Sequence, residues 1–174
     1  GFHPAAMTPV YGLAECTVGL LCPPLDRGPR VDRVRRQPFS QLGRAEPAAA
    51  DDVGALRFVS CGRPLPGHEV RIVDALGREV GERIEGRLEF RGPSATGGYY
   101  RNPEQTRRLL DGDWLDSGDR AYLADGEVHL TGRVKDIIIR GGRNIYPHEL
   151  EDAVGAVPGV RRGCIAAFGS PDPS

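Results

Sequence analysis

The 24 glycines and 15 prolines of this 174-residue chain constrain its fold more than any other feature. Each glycine weakens a helix interior by about 1 kcal/mol and each proline by about 3 kcal/mol relative to alanine. A compact helical bundle is therefore disfavoured, and many turns joining short strands are expected.

The stretches between these residues carry strand patterns. Leu56 to Ser60 is a short apolar run. Glu69 to Val73 alternates around Val70 and Ile72, with Gly77 in the following turn. Arg87 to Arg91 alternates again, placing Leu88 and Phe90 on one face. Ala121–Leu123 and Glu127–Leu130 flank Ala124-Asp125-Gly126, a hairpin signal. Asn102 as N-cap and Pro103 at the first helical position predict a short helix from Pro103 to Leu110. Ile137, Ile138 and Ile139 predict a strand entering a glycine loop at Gly141-Gly142. Pro147 then opens a helix with Leu150, Val154 and Val157 on one face and Glu149, Glu151 and Asp152 in its first turn. Cys164 to Phe168 is expected as a last strand. Strand, loop, helix and strand from about Lys135 suggest a small α+β lobe. Pro23 to Asp52 lacks a clear apolar period and is expected to be a loop or insertion. Its Arg30, Arg33, Arg35 and Arg36 read as a solvated surface stretch rather than a phosphate patch.

The length allows one domain, or a medium piece with a small lobe. A net charge of -1 argues against a dedicated nucleic-acid binder. No apolar run approaches the length of a membrane span. Cys16, Cys22, Cys61 and Cys164 show no metal-ligand spacing and are expected as free thiols in a reducing cytoplasm. Residues 1–9 lack the features of a signal peptide. Both ends read as though cut from something longer.

Three clusters carry chemistry. Tyr11-Gly12-Leu13-Ala14-Glu15 offers an aromatic wall and a carboxylate, a hard oxygen donor suited to Mg²⁺. A buried tyrosine beside a surface glutamate would look the same. In Trp114 to Asp119, Asp119 could accept hydrogen bonds from ribose hydroxyls or cap a turn. Gly132 to Pro147 combines the donor fork of Arg133 with Gly141-Gly142, where backbone can approach a ligand closely. His3, His68, His129 and His148 are dispersed, which argues against a histidine-based catalytic site.

Read in order, these segments resemble the later core motifs of the adenylate-forming enzymes, in the branch of fatty acyl-AMP ligases and acyl-CoA synthetases. Gly86 to Gly92 with Gly97-Gly98-Tyr99-Tyr100 resembles the motif lying between the first two clusters. The resemblance covers nearly the whole chain. It implies the end of a large lobe with a distorted β-barrel subdomain over residues 1–133, and the start of a small C-terminal α+β lobe over 134–174. It implies that Tyr11, beside Gly12, packs on adenine and that Glu15 binds Mg²⁺. Asp119 and Arg133 would hold the ribose of ATP and of the acyl-adenylate. Lys135 would be the hinge between half-reactions, and Gly141 and Gly142 would line the path of the thiol.

The implied activity is ATP-dependent activation of a fatty or other carboxylic acid as acyl-AMP. Transfer then goes to a thiol, either the phosphopantetheine of an acyl carrier protein or CoA. Ala14 stands where the family often has threonine, removing one phosphate contact, and Ser117 replaces the more usual threonine. Nothing here matches the family's upstream phosphate loop. The late lysine would fall beyond Ser174. Acting alone, these residues are expected not to form an adenylate. A non-catalytic remnant or a docking fragment is the alternative from a different class.

Overall fold

The computed structural model describes residues 1–141 and 143–170. Its strands are β1 (Leu21–Cys22), β2 (Val31–Val34), β3 (Leu56–Val59), β4 (Arg63–Pro64), β5 (Glu69–Val73), β6 (Gly86–Arg91), β7 (Leu110–Asp111), β8 (Trp114–Ala124), β9 (Glu127–Arg133), β10 (Ile138–Arg140) and β11 (Arg143–Ile145). The α-helices are α1 (Arg36–Leu42), α2 (Pro103–Leu109) and α3 (Pro147–Gly155).

An antiparallel five-stranded sheet organises the molecule. It runs β5-β6-β8-β7, with β9 also paired to β8. The eleven-residue β8 serves three partners. Register breaks between Arg87 and Glu89 and between Arg120 and Ala121 add bend and twist, so the sheet curls into a half-barrel. A bridge from Ser60 to His129 joins the end of β3 to β9. The β8–β9 turn has Asp125 and Gly126 at φ 54° and 71°, the primed turn that matches strand twist.

Two apolar clusters flank this frame. One gathers Leu20, Leu21, Ile72, Leu88, Phe90 and Leu115. The other is aromatic: Phe39, Phe58, Tyr122 and Tyr146, all within 6.4 Å of a neighbour in ring-centroid distance. Leu88 and Phe90 point into the core as their alternation predicts. Glu89 between them is also fully buried, its carboxylate held by Arg71.

The expected helix at 103–110 is α2, and the Asn102 side chain accepts from the Gln105 N–H at 3.1 Å. Three expectations need correction. Pro23 to Asp52 is no featureless loop, because it holds β2 and α1. Helix α1 buries a single side chain, Phe39, and so leaves no apolar period to read. Its end is marked by Gly43 at φ 64°, which donates to the Phe39 carbonyl. Second, Cys164 to Phe168 forms no strand. The Ala167 N–H goes instead to the carboxylate of Glu151 at 2.9 Å. Val157 lies past the end of α3, so only Leu150 and Val154 of the expected face belong to the helix.

Candidate nucleotide site

Tyr11 enters the site through an isolated bridge to Leu21, with its carbonyl accepting from the N–H groups of Leu20 and Leu21. The chain then doubles back tightly. A Cβ on Gly12 would lie 1.6 Å from the Val18 carbonyl oxygen, so no other residue fits there without moving backbone. Thr17 and Val18 sit at φ 50° and 74°. That conformation is costly for a β-branched side chain, and such strain clusters at functional sites. The result is a single 3-10 turn, Ala14–Cys16, which presents Glu15.

Asp119 reaches the same place from β8. Gly118 at φ 73° lets the strand kink just before it. The Ser117 hydroxyl donates to the Leu88 carbonyl at 2.7 Å and accepts from the Asp119 N–H at 3.1 Å. The Asp116 carboxylate accepts from the Gly118 N–H at 2.8 Å. The kink is thus held on both sides.

The Tyr11 hydroxyl donates to Asp119 Oδ2 at 2.5 Å across 108 residues of sequence. Burial first, then this bond to a carboxylate, pushes the Tyr11 phenol well above its ordinary value. Arg133, the register partner of Asp119 on β9, brings Nε to 3.7 Å from Oδ1 and leaves most of its side chain in solvent. The Tyr99 hydroxyl donates to Glu15 Oε1 at 2.5 Å. That bond is the main reason its pKa is pushed up to about 12.

Tyr11, Gly12, Glu15, Asp119, Arg133 and Lys135 all line one cleft of about 700 Å³. Gly141 does not line it. It sits exposed at φ 59° between β10 and β11. Gly142 lies outside the described residues. Lys135 also lines a second cavity of about 800 Å³ with Ile138, Ile139 and Leu150.

Sequence reasoning gave no role to Tyr99 or Arg108, which share the cleft. Tyr99 belongs to the Gly97-Gly98-Tyr99-Tyr100 motif. Arg108 had only its place in α2 as a signal.

Among the described residues no group of three or more His, Cys, Asp or Glu is arranged to hold a metal. Of the carboxylates that line the cleft, Glu15 is the one bonded to Tyr99, while Asp119 is bonded to Tyr11. Glu15 suits Mg²⁺, which takes one or two protein carboxylates and completes its shell with substrate phosphates and water. No helix of the described residues is long and apolar enough to cross a membrane.

Comparison with known proteins fits this geometry. The family described as AMP-binding enzyme matches residues 2–100. A putative acyl-CoA synthetase of Caulobacter vibrioides is 39% identical over 173 residues, covering 98% of this chain and 30% of the relative. The long-chain-fatty-acid–AMP ligase FadD26 of Mycobacterium tuberculosis is 32% identical over 176 residues, covering 94% of this chain and 30% of the relative. A structure from a study of fatty acyl-adenylate ligases of E. coli and L. pneumophila superposes with a TM-score of 0.89 at 35% identity, covering 96% of this chain and 30% of that one. The chain thus spans about three tenths of the length of these relatives.

Proposed function

We propose, since the chain belongs to the AMP-binding family of adenylate-forming enzymes, that the protein activates a fatty acid as its acyl-adenylate, using ATP and Mg²⁺, and passes the acyl group to a thiol. One observation carries this reading. Four groups spread over more than 120 residues of sequence (Tyr11, Glu15, Asp119 and Arg133) converge on one cleft.

In this reading Tyr11 packs on adenine, and its bond to Asp119 fixes the ring's edge. The Asp119 carboxylate accepts from the ribose hydroxyls, an ionised acceptor giving the stronger kind of bond. Arg133 adds donors to the same sugar. Glu15 would hold Mg²⁺, whose role is to offset charge on the phosphates while the acid's carboxylate attacks the α-phosphate and pyrophosphate departs. The protein's part is to position these groups and to complement developing charge.

Residues 1–133 are then the end of the large lobe and 134–174 the beginning of the small one. Lys135 is the hinge between them, a reading favoured by its place on both cavities. The loop at Gly141 and Gly142 would line the thiol's path. A cytoplasmic location is the reading that ATP use would favour.

The carrier-protein reading of the acceptor leans on the resemblance to fatty acyl-AMP ligases. The identity of 39% to a putative acyl-CoA synthetase favours CoA as a second reading. CoA-dependent release of AMP separates the two.

The test is ATP–pyrophosphate exchange by the full-length protein with a panel of fatty acids. Exchange with long-chain acids is expected to fall at least 100-fold in Asp119→Ala. Absence of exchange with every acid would sink the proposal. Full activity in Asp119→Ala would sink the ribose role.

A further inference from the structure

Glu15 is braced by a segment to which the proposed reaction assigns no role. The loop after β6 reaches Glu15 at two points. The Thr96 N–H donates to the Glu15 carbonyl at 2.8 Å, and the Tyr99 hydroxyl donates to its carboxylate. The same loop is pinned to its surroundings at Ser94. Ser94 Oγ lies 2.7 Å from His68 Nε2, 3.2 Å from the Cys16 carbonyl oxygen and 3.3 Å from Cys16 Sγ. Thr17 Oγ1 donates to the Ser94 carbonyl at 3.2 Å. The two residues that follow Glu15 in the chain, Cys16 and Thr17, are thereby tied to this loop.

His68 is itself fixed. It ends a tight turn in which its N–H donates to the Leu65 carbonyl, and its Nδ1 lies 3.2 Å from the Pro66 carbonyl oxygen. Its ring sits close against the loop at Gly92, where a Cβ would come within 2.3 Å of Cδ2. Farther along the loop, Gly98 sits at φ 134°, and its missing Cβ leaves room for Thr106 of α2. The Thr106 hydroxyl accepts from the Tyr99 N–H at 2.9 Å. The loop is therefore held at one end by His68 and at the other by α2, with Glu15 between.

We propose that His68 and Ser94 are positioning residues, which act through the 92–99 loop to hold the Glu15 carboxylate at the angle a metal-bound nucleotide requires. The inference rests on the reading of Glu15 as a Mg²⁺ ligand. Neither residue touches substrate. Supporting groups of this kind typically change metal affinity 10- to 100-fold when removed.

The experiment uses the full-length protein with His68→Ala, His68→Gln, Ser94→Ala and Glu15→Gln. Two quantities are measured: the Mg²⁺ concentration for half-maximal ATP–pyrophosphate exchange, and hydrogen exchange at the Thr96 amide without nucleotide. His68→Ala and Ser94→Ala are expected to raise the Mg²⁺ requirement about tenfold or more. The KM for the acid should not change, and exchange should recover at high Mg²⁺. His68→Gln, which keeps an amide group within reach of Ser94, should restore most of the loss. Thr96 protection should fall in both alanine variants.

If Glu15→Gln raises the Mg²⁺ requirement and the two alanine variants do not, the positioning role is overturned and the metal role stands. If Glu15→Gln has no effect on it, the metal role fails, and the amide decides the rest. Lost Thr96 protection in the alanine variants would still support the brace. Retained protection would overturn it.

Discussion

The half-barrel and the segment after Lys135 are written in similar apolar patterns, yet they end differently. In the half-barrel, Leu88, Phe90, Ala121 and Val128 are fully buried. After Lys135, Ile139 is 73% exposed, Leu150 45% and Phe168 79%. Periodicity states which face of an element is suited to packing. Whether anything packs there depends on what lies opposite, and that is not a property of the element's own sequence. Tyr146 is the exception in the second region. It is fully buried among Phe39 and Phe58, and its hydroxyl donates to Glu85 at 3.0 Å. Burial and the nearby Glu85 charge raise its phenol pKa above the ordinary range.

The contrast therefore rests on one side chain, and removing it should have the largest effect. Tyr146→Ala is expected to cost about 3–5 kcal/mol in urea unfolding, the range for deleting a large buried aromatic. Tyr146→Phe keeps the ring and leaves Glu85 with Arg120 and Thr131, at 2.7 and 2.5 Å. It should cost only about 1 kcal/mol. An alanine variant as stable as wild type would break the comparison, because the segment would then be anchored elsewhere.

The same contrast explains what could be read from the sequence. The hairpin at Asp125-Gly126 and the capped α2 were legible because their signals are local: a turn type and a cap. Helix α1 was not, since Phe39 is its one buried side chain and the aromatic partners Phe58, Tyr122 and Tyr146 come from far along the chain. The strand expected at Cys164 failed for the complementary reason. A strand needs a ladder, and the bond from Ala167 goes to a side chain of α3. At the candidate site, the residue types of Tyr11, Glu15, Asp119 and Arg133 were legible through motif resemblance. Their convergence was not, nor was the pairing of Tyr11 with Asp119. Gly12 shows why: it is required by the Val18 carbonyl, a contact created by the turn itself.

A further test separates the two regions by acid. Glu127 on β9 is nearly buried, accepts two bonds from Arg27 and one from Ser60, and is pushed down to about 2, chiefly by Arg27. Its ordinary value is 4.5. Above that value the folded and unfolded chains both carry the charge, and the bonds stabilise the fold in full. As the pH falls toward 2, the unfolded chain takes up the proton first and the contribution drains away. The stability gap between wild type and Glu127→Gln should therefore be widest at pH 7 and should close between about pH 4.5 and 2. The pair Arg36–Glu149, which ties α1 to the second region at the surface, should contribute no more than about 1 kcal/mol. A gap for Glu127→Gln that does not vary with pH would mean that its ion pair adds nothing to the half-barrel.

The smallest effect is expected on the open face of α3. Leu150 is 45% exposed, and Leu150→Gln should change the unfolding free energy by no more than about 0.5 kcal/mol, as surface substitutions do. The measurement sharpens the comparison because the side chain is apolar, lies on a helix and faces a cavity, as a core residue would. If burial rather than residue type sets the cost, leucine here should behave like a surface residue. A loss above 1 kcal/mol would show that the face is covered in the folded protein, and the second region would then be packed by the same rule as the first.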